Sequence, residues 1–244
     1  MSGITDCLDC PLRCRPLFVP MTDKELAFQR YFKSGENLVP AGSDAISQGQ
    51  ASPMLQTVLS GMAVRSVLLE DGRRQVINFV FPGDLVGLQS GLMGESRHSV
   101  TAVTDMVLCT FPRNKVWDLF VNQPERSYDL TWIAAVGEHF LGETVATLGL
   151  RDAQERVAWA LVRIWRRLVA LGMEQGGSVP FPFRQQDLAD ALGLSIVHTN
   201  RRLVALRQAK LVEITGRRMV MHDLPGLCAI AHLDMKKDDV RPIL

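Results

Sequence analysis

The stretch from Arg184 to Lys210, RQQDLADALGLSIVHTNRRLVALRQAK, constrains the chain more than any other, because it reads as two short helices around a tight turn. Leu188, Ala189 and Leu192 recur at helical spacing, Gly193 is a residue able to end a helix, and Ser195 is a good cap for the next. That is the outline of a helix-turn-helix. On the second helix, at about 100° per residue, Thr199, Leu203 and Leu206 share one face. Val197 and Arg201 point the opposite way, with His198 and Asn200 on the flanks. A helix anchored by one face and offering these side chains on the other suits the major groove. Arg takes guanine bidentately, Asn takes adenine, and Val packs on a thymine methyl. The alternative is an ordinary helical hairpin with a solvated polar face.

Charge supports the first reading. Residues 1–150 hold twelve Lys and Arg against sixteen Asp and Glu, whereas residues 151–218 hold twelve against six. The net of +1 therefore conceals an acidic part followed by a basic one, and the basic excess lies on the helix-turn-helix side. A partner that presents phosphates fits that asymmetry. The chain is long enough for two domains, and 47% hydrophobic residues suit packed cores. No run of about 18 apolar residues occurs, and residues 1–19 lack a signal-peptide h-region, so a cytoplasmic protein without membrane contact is expected.

Three cysteines crowd the start, Cys7, Cys10 and Cys14 in CLDCPLRC, while Cys109 and Cys228 lie far off. In a cytoplasmic chain this spacing reads as a metal or redox site before a disulfide framework, with Cys109 the natural fourth ligand if the fold returns it there. Free thiols on a mobile N-terminus are the other reading. Cys228 reads as a small buried hydrophobe.

From about Gly35 to Arg113 short apolar runs alternate with turns. MLQTVLSG, AVRSVLLE, RQVINFVF, HSVTAVT and MVLCTFP are separated by Gly61, Asp71-Gly72, Pro82-Gly83-Asp84 and Gly94. A compact antiparallel barrel or sandwich is expected. A helical stretch follows from about Asn114, broken near Asn122 to Pro124 and resuming to Leu148. On it Leu130, Ile133, Gly137, Phe140 or Leu141, Thr144 and Leu148 step by threes and fours, a seam for a second copy of the chain. Packing on its own barrel is the alternative. A further helix runs from about Asp152 to Leu171. After the helix-turn-helix, LVEITGRRMVMHD reads as a two-stranded wing whose turn carries Arg217 and Arg218, placed to contact phosphates. The tail from Leu224 is poorly patterned and its end is expected to be loose.

Barrel, dimer helix and winged helix-turn-helix in that order resemble the Crp/Fnr transcription regulators, over nearly the whole chain. The pieces that carry the resemblance are GRRQVINFVFPGDLVGLQ, HSVTAVTDMVLCTFP, RDAQERVAWALVRIWRRL and QQDLADALGLSIVHTNRRL. It implies an α+β fold: an N-terminal antiparallel β-barrel of the cyclic-nucleotide-binding jelly-roll type, a long dimerisation helix and a C-terminal winged helix-turn-helix. The corresponding divisions are 1–34 for the cysteine segment and lead-in helix, 35–123 for the sensory domain, 124–150 for the dimerisation helix, 151–223 for the DNA-binding domain and 224–244 for the tail.

The resemblance places base-reading positions on Val197, Asn200 and Arg201, with Ser195 and His198 beside the DNA backbone, and Gln185 joins them at the start of the first helix. Many members have Glu where this chain has Val197, so a different half-site is implied. Cyclic-nucleotide members hold ribose with a Glu that here falls on Leu88 or Gln89, and phosphate with an Arg replaced here by His98. No cyclic nucleotide is expected. The oxygen-sensing branch carries an N-terminal cysteine cluster and one Cys at the position of Cys109. This implies one 4Fe-4S cluster per subunit on Cys7, Cys10, Cys14 and Cys109. Only three residues separate Cys10 from Cys14, shorter than usual, and haem, a structural metal or a bare thiol switch stay open. The implied partners are duplex DNA at an inverted repeat, a second copy of the chain, and RNA polymerase. Rival classes are an enzyme or metal-binding redox protein, and a ligand-binding module acting through protein contacts. No catalytic triad, carboxylate pair or P-loop appears, and the five histidines are scattered, so no enzymatic activity is expected.

Overall fold

The computed structural model describes residues 4–235 and 240–244. The first three residues of the cysteine segment and residues 236–239 of the tail lie outside the described part. After the cysteine turns comes helix α1 (Asp23–Phe32), started by a capping box between Thr22 and Glu25. Eight strands follow: β1 (Gly35–Val39), β2 (Asp44–Ile46), β3 (Met54–Ser60), β4 (Ala63–Leu68), β5 (Arg74–Val80), β6 (Leu85–Val86), β7 (Ser99–Ala102) and β8 (Met106–Pro112). A short helix α2 (Leu88–Met93) sits between β6 and β7.

These strands form two antiparallel four-stranded sheets, β1-β8-β3-β6 and β2-β7-β4-β5. The expected barrel is thus a pair of facing sheets in the jelly-roll manner, because among the described residues no ladder joins their edges into a closed wall. Val39, Val58, Val80, Val86, Val100 and Leu108 fill the space between them. The β4–β5 hairpin turns at Asp71-Gly72, where the sequence places it.

Helix α3 (Val116–Asn122) leads to the long helix α4 (Pro124–Leu150), with Pro124 in its first turn, where a missing N–H costs nothing. Helix α5 (Ala153–Ala170) starts from a second capping box, Asp152 with Glu155. Strand β9 (Ser178–Pro180), helices α6 (Gln185–Leu192) and α7 (Ile196–Gln208), strands β10 (Val212–Thr215) and β11 (Arg218–Met221) and helix α8 (Leu224–Ile230) complete the C-terminal head. Its sheet has the order β10-β11-β9.

The tail departs from expectation. Leu227, Cys228 and Ala231 are buried against the head's core, and Ile243 and Leu244 are 5% and 4% exposed. Apolar side chains too few to show a period in sequence still find covering surface in the fold.

Head and sheets share a core. Val64, Val76, Phe79 and Phe81 pack with Val157, Leu161, Phe183 and Leu188. The Phe183 ring meets Phe79 edge-on at 4.7 Å between centroids and Phe81 at 5.9 Å. Arg74 of β5 adds ion pairs to Asp187 at 2.6 Å and Asp190 at 2.7 Å, both on α6. The head is therefore docked on the sheet through α6, which leaves α7 outward.

Candidate nucleic-acid interface

The α6–α7 turn follows from two residues. Gly193 ends α6 at φ 62°, a left-handed conformation that a side chain disfavours. Ser195 then caps α7, its Oγ accepting from the His198 amide at 3.2 Å, a contact of the kind that contributes about 1 kcal/mol. Thr199 is fully buried and donates to the Ser195 carbonyl at 3.1 Å, while Leu206 is also fully buried. Leu203 is half-buried against the same core. With that face fixed, Val197 is 59% exposed, and Asn200 and Arg201 are exposed too. Neither Asn200 nor Arg201 makes a side-chain hydrogen bond or ion pair among the described residues, so both donor sets face solvent.

Ile196, 44% exposed beside Val197, was not singled out by spacing and adds apolar surface at the helix start. His198 is half-buried, with Nε2 3.3 Å from Arg202 Nη2. Gln185 opens α6 and is exposed. Arg184 before it and Arg207 near the end of α7 are exposed cations that spacing alone did not flag.

The wing divides its two arginines. Arg217 is exposed at the turn, in the left-handed region at φ 60°. Arg218 differs from expectation: its guanidinium reaches Ser178 Oγ at 2.9 Å and the Ser178 carbonyl at 3.0 Å. Pairing of β11 with β9 puts Arg218 opposite Pro180, so its side chain lies across the neighbouring strand and holds the wing together.

The long helix also corrects the expected seam. Leu130 is 4% exposed and packs with Phe32, Phe111 and Leu119, with Ile133 at the margin of that cluster. Phe140 stacks on Trp159 at 6.0 Å, and Thr144 donates to the Phe140 carbonyl. Leu148 is half-buried near Gly193. These residues are used inside the chain because α4 lies against its own sheets and α5. Gly137 and Leu141 stay outward, joined by Val136, Val145 and Leu150, the last two 71% and 86% exposed.

Between the sheets and α4 runs a cleft of about 920 Å³, lined among others by Arg65, Leu88, Gln89, His98, Trp132 and Val136. His98 is buried, with Nδ1 3.0 Å from Gln89 Oε1. Burial, with the Arg65 guanidinium nearby, pulls its pKa down to about 4.

The cysteines are partly gathered. Cys109 on β8 stands opposite Glu36 of β1. Lys33 reaches Glu36 at 2.8 Å and the Thr5 carbonyl at 2.6 Å, tying the N-terminal segment to that strand edge. Cys10 lies within electrostatic reach of both Cys7 and Cys109. Burial raises the thiol pKa of Cys7, and pushes that of Cys109 up to about 11. Cys14 is exposed. Among the described residues no three His, Cys, Asp or Glu side chains stand in a metal-holding group. The donor chemistry, several thiols with a buried ammonium beside them, fits an anionic sulfur-ligated centre.

Comparison with known proteins agrees with this architecture. A profile of the Crp-like helix-turn-helix domain matches residues 155–230, and one of the cyclic nucleotide-binding domain matches residues 36–123. The chain is 30% identical over 221 residues to the transcriptional activator protein FnrL of Cereibacter sphaeroides, covering 88% of this chain and 87% of that one. It is 31% identical over 194 residues to the nitrogen fixation regulation protein FixK of Rhizobium meliloti, covering 77% and 83%. Among solved structures, FixK2 from Bradyrhizobium japonicum superposes with a TM-score of 0.72 at 25% identity, over 83% of this chain and 98% of that one.

Proposed function

Because the chain belongs to the Crp/Fnr family of DNA-binding transcription regulators, and is not an enzyme, we propose that it acts as a homodimeric activator placing two α7 helices in successive major grooves of an inverted repeat, about 34 Å apart. The observation that carries this reading is the outward face of α7: Val197, Asn200 and Arg201 are exposed while Thr199 and Leu206 anchor the opposite side. Arg201 reads guanine, Asn200 reads adenine, and Val197 with Ile196 packs on thymine methyls. Gln185, Ser195, His198 and Arg217 lie toward the phosphates. Leu141, Val145 and Leu150, with Gly137, supply the face for the second copy, and RNA polymerase is the further partner of an activator. No helix among the described residues is long and apolar enough to cross a membrane. Replacement of Arg201 by Ala tests the assignment: operator affinity falls by about 1 to 3 kcal/mol and the preference for guanine at one position per half-site relaxes. Unchanged affinity and preference would remove Arg201 from the reading.

The signal in this proposal is oxygen or redox state, as the resemblance of the cysteine segment to the oxygen-sensing branch implies. Cys7, Cys10, Cys14 and Cys109 would hold a 4Fe-4S cluster, which when bound supplies a centre that oxygen converts. Lys33, with only 6% of its side chain exposed and ion-paired to Glu36, stands beside Cys109 and within electrostatic reach of Cys7, where a cation favours anionic thiolates. Protein isolated without oxygen is expected to carry iron and sulfide, and Cys109→Ser to release them. Colourless, metal-free wild-type protein that still binds DNA would remove the cluster and leave the DNA-binding reading intact.

A further inference from the structure

The last described residues return from the head into the sensory half. Beyond α8, residues 240–244 run beside the segment that follows the cysteines. The Arg241 amide donates to the Leu17 carbonyl at 2.8 Å, and the Val19 amide donates to the Arg241 carbonyl at 2.9 Å, a single parallel bridge. Pro242 has no N–H to continue the ladder, so pairing stops there.

Phe18, in the middle of this bridge, is buried under the Pro82-Gly83-Asp84 turn. A Cβ at Gly83 would stand 2.2 Å from the Phe18 ring, so only glycine admits the ring at that depth. The same turn holds Arg241 by its side chain: Asp84 Oδ1 lies 3.2 Å from Arg241 Nη1 and 2.8 Å from Arg167 Nη2 of α5. One carboxylate thus joins the sensory sheet, the first helix of the head and the returning segment.

Further on, the Ile243 carbonyl accepts from Arg126 in the first turn of α4, and Arg126 is 3% exposed and paired with Asp129. Leu244 enters the cluster of Phe32, Leu55, Phe111, Leu119 and Leu130. Five residues therefore touch the cysteine-bearing segment, the sheet turn and the root of the long helix, and they are covalently attached to the head.

We propose that residues 240–244 are an intramolecular strap that couples the N-terminal cysteine segment to the Pro82-Gly83-Asp84 turn and to the start of α4. A shift of the Leu17 to Val19 segment is felt at the root of α4, because the bridge at Phe18 and the Leu244 insertion lie on one stretch of five residues. The inference does not depend on which group the cysteines hold, since Leu17 to Val19 is positioned by backbone bonds and the Phe18 ring.

Hydrogen exchange on the full chain and on a chain ending at Met235 tests it. Strap removal is expected to speed exchange of the Val19 amide about tenfold, as for loss of one ordinary backbone hydrogen bond, and to speed exchange in the first turns of α4. In protein stripped of any bound metal, alkylation of half-buried Cys10 by N-ethylmaleimide is expected to accelerate with it. Added peptide of sequence Val-Arg-Pro-Ile-Leu restores both protections. Leu244→Ala, a milder change, keeps the α4 result readable if the shortened chain does not fold. Exchange that rises only within α8, or not at all, with Cys10 alkylation unchanged, would overturn the strap.

Discussion

His98 illustrates how one side chain ties sequence to behaviour. It lines the cleft between the sheets and α4, and its Nε2 finds no hydrogen-bond partner among the described residues. Burial, followed by the Arg65 charge, lowers its pKa from 6.5 to about 4. The unfolded chain therefore takes up a proton before the folded one as pH falls. Stability contributed by neutral His98 is complete above about pH 6.5 and is lost progressively toward pH 4. Urea unfolding at pH 7 and pH 4.5 should show the wild type losing roughly 2 kcal/mol more than His98→Gln. Equal losses would mean that His98 is protonated in both states alike. At this scale the outward placement of Arg201 and Asn200 was legible, since it needed only the three-and-four spacing of their buried neighbours. Arg218 was not, because its role depends on the register of β11 against β9, which no local pattern encodes.

At the scale of elements, what could be read depended on length and sidedness. Strands β3, β4, β5, β7 and β8 were visible as apolar runs between turns. Strands β1, β2 and β6 were missed: GENLV is mostly polar, and DAI and LV are too short to show alternation. Both helix-turn-helix elements were visible because Gly193 and Ser195 punctuate them. Helix α4 was legible as a helix, and its facing only in part, since Gly137 and Leu141 of the expected seam lie outward while Leu130 is buried. Apolar residues occur around much of its circumference, so a three-and-four pattern chose Leu130 and Phe140, which the fold spends on its own sheets and on α5. The tail was misread for the opposite reason, since Ile243 and Leu244 form no period yet fill space prepared by distant elements. The nearness of Cys7 and Cys10 was legible in their spacing, whereas the approach of Cys10 to Cys109 and the exposure of Cys14 depend on how the N-terminal segment packs.

For the whole molecule, the split of charge along the chain acquires a structural meaning. Asp187 and Asp190, two of the six acids in residues 151–218, are turned inward and neutralised by Arg74 of the sensory sheet. The outward surface of the head, with Arg184, Arg201, Arg207 and Arg217 exposed, is thereby more basic than composition suggests. Docking of α6 on β5, the shared Phe79–Phe183 contact and the Asp84 junction make head and sheets one packed body, joined by side-chain contacts as well as by the chain. The central claim is that this basic face, doubled by a second copy, grips duplex DNA. Its most direct test is the affinity for an inverted-repeat duplex measured from 50 to 200 mM salt. The account predicts a log-log slope of about −5 or steeper, as about six neutralised phosphates require. A slope near zero would contradict it.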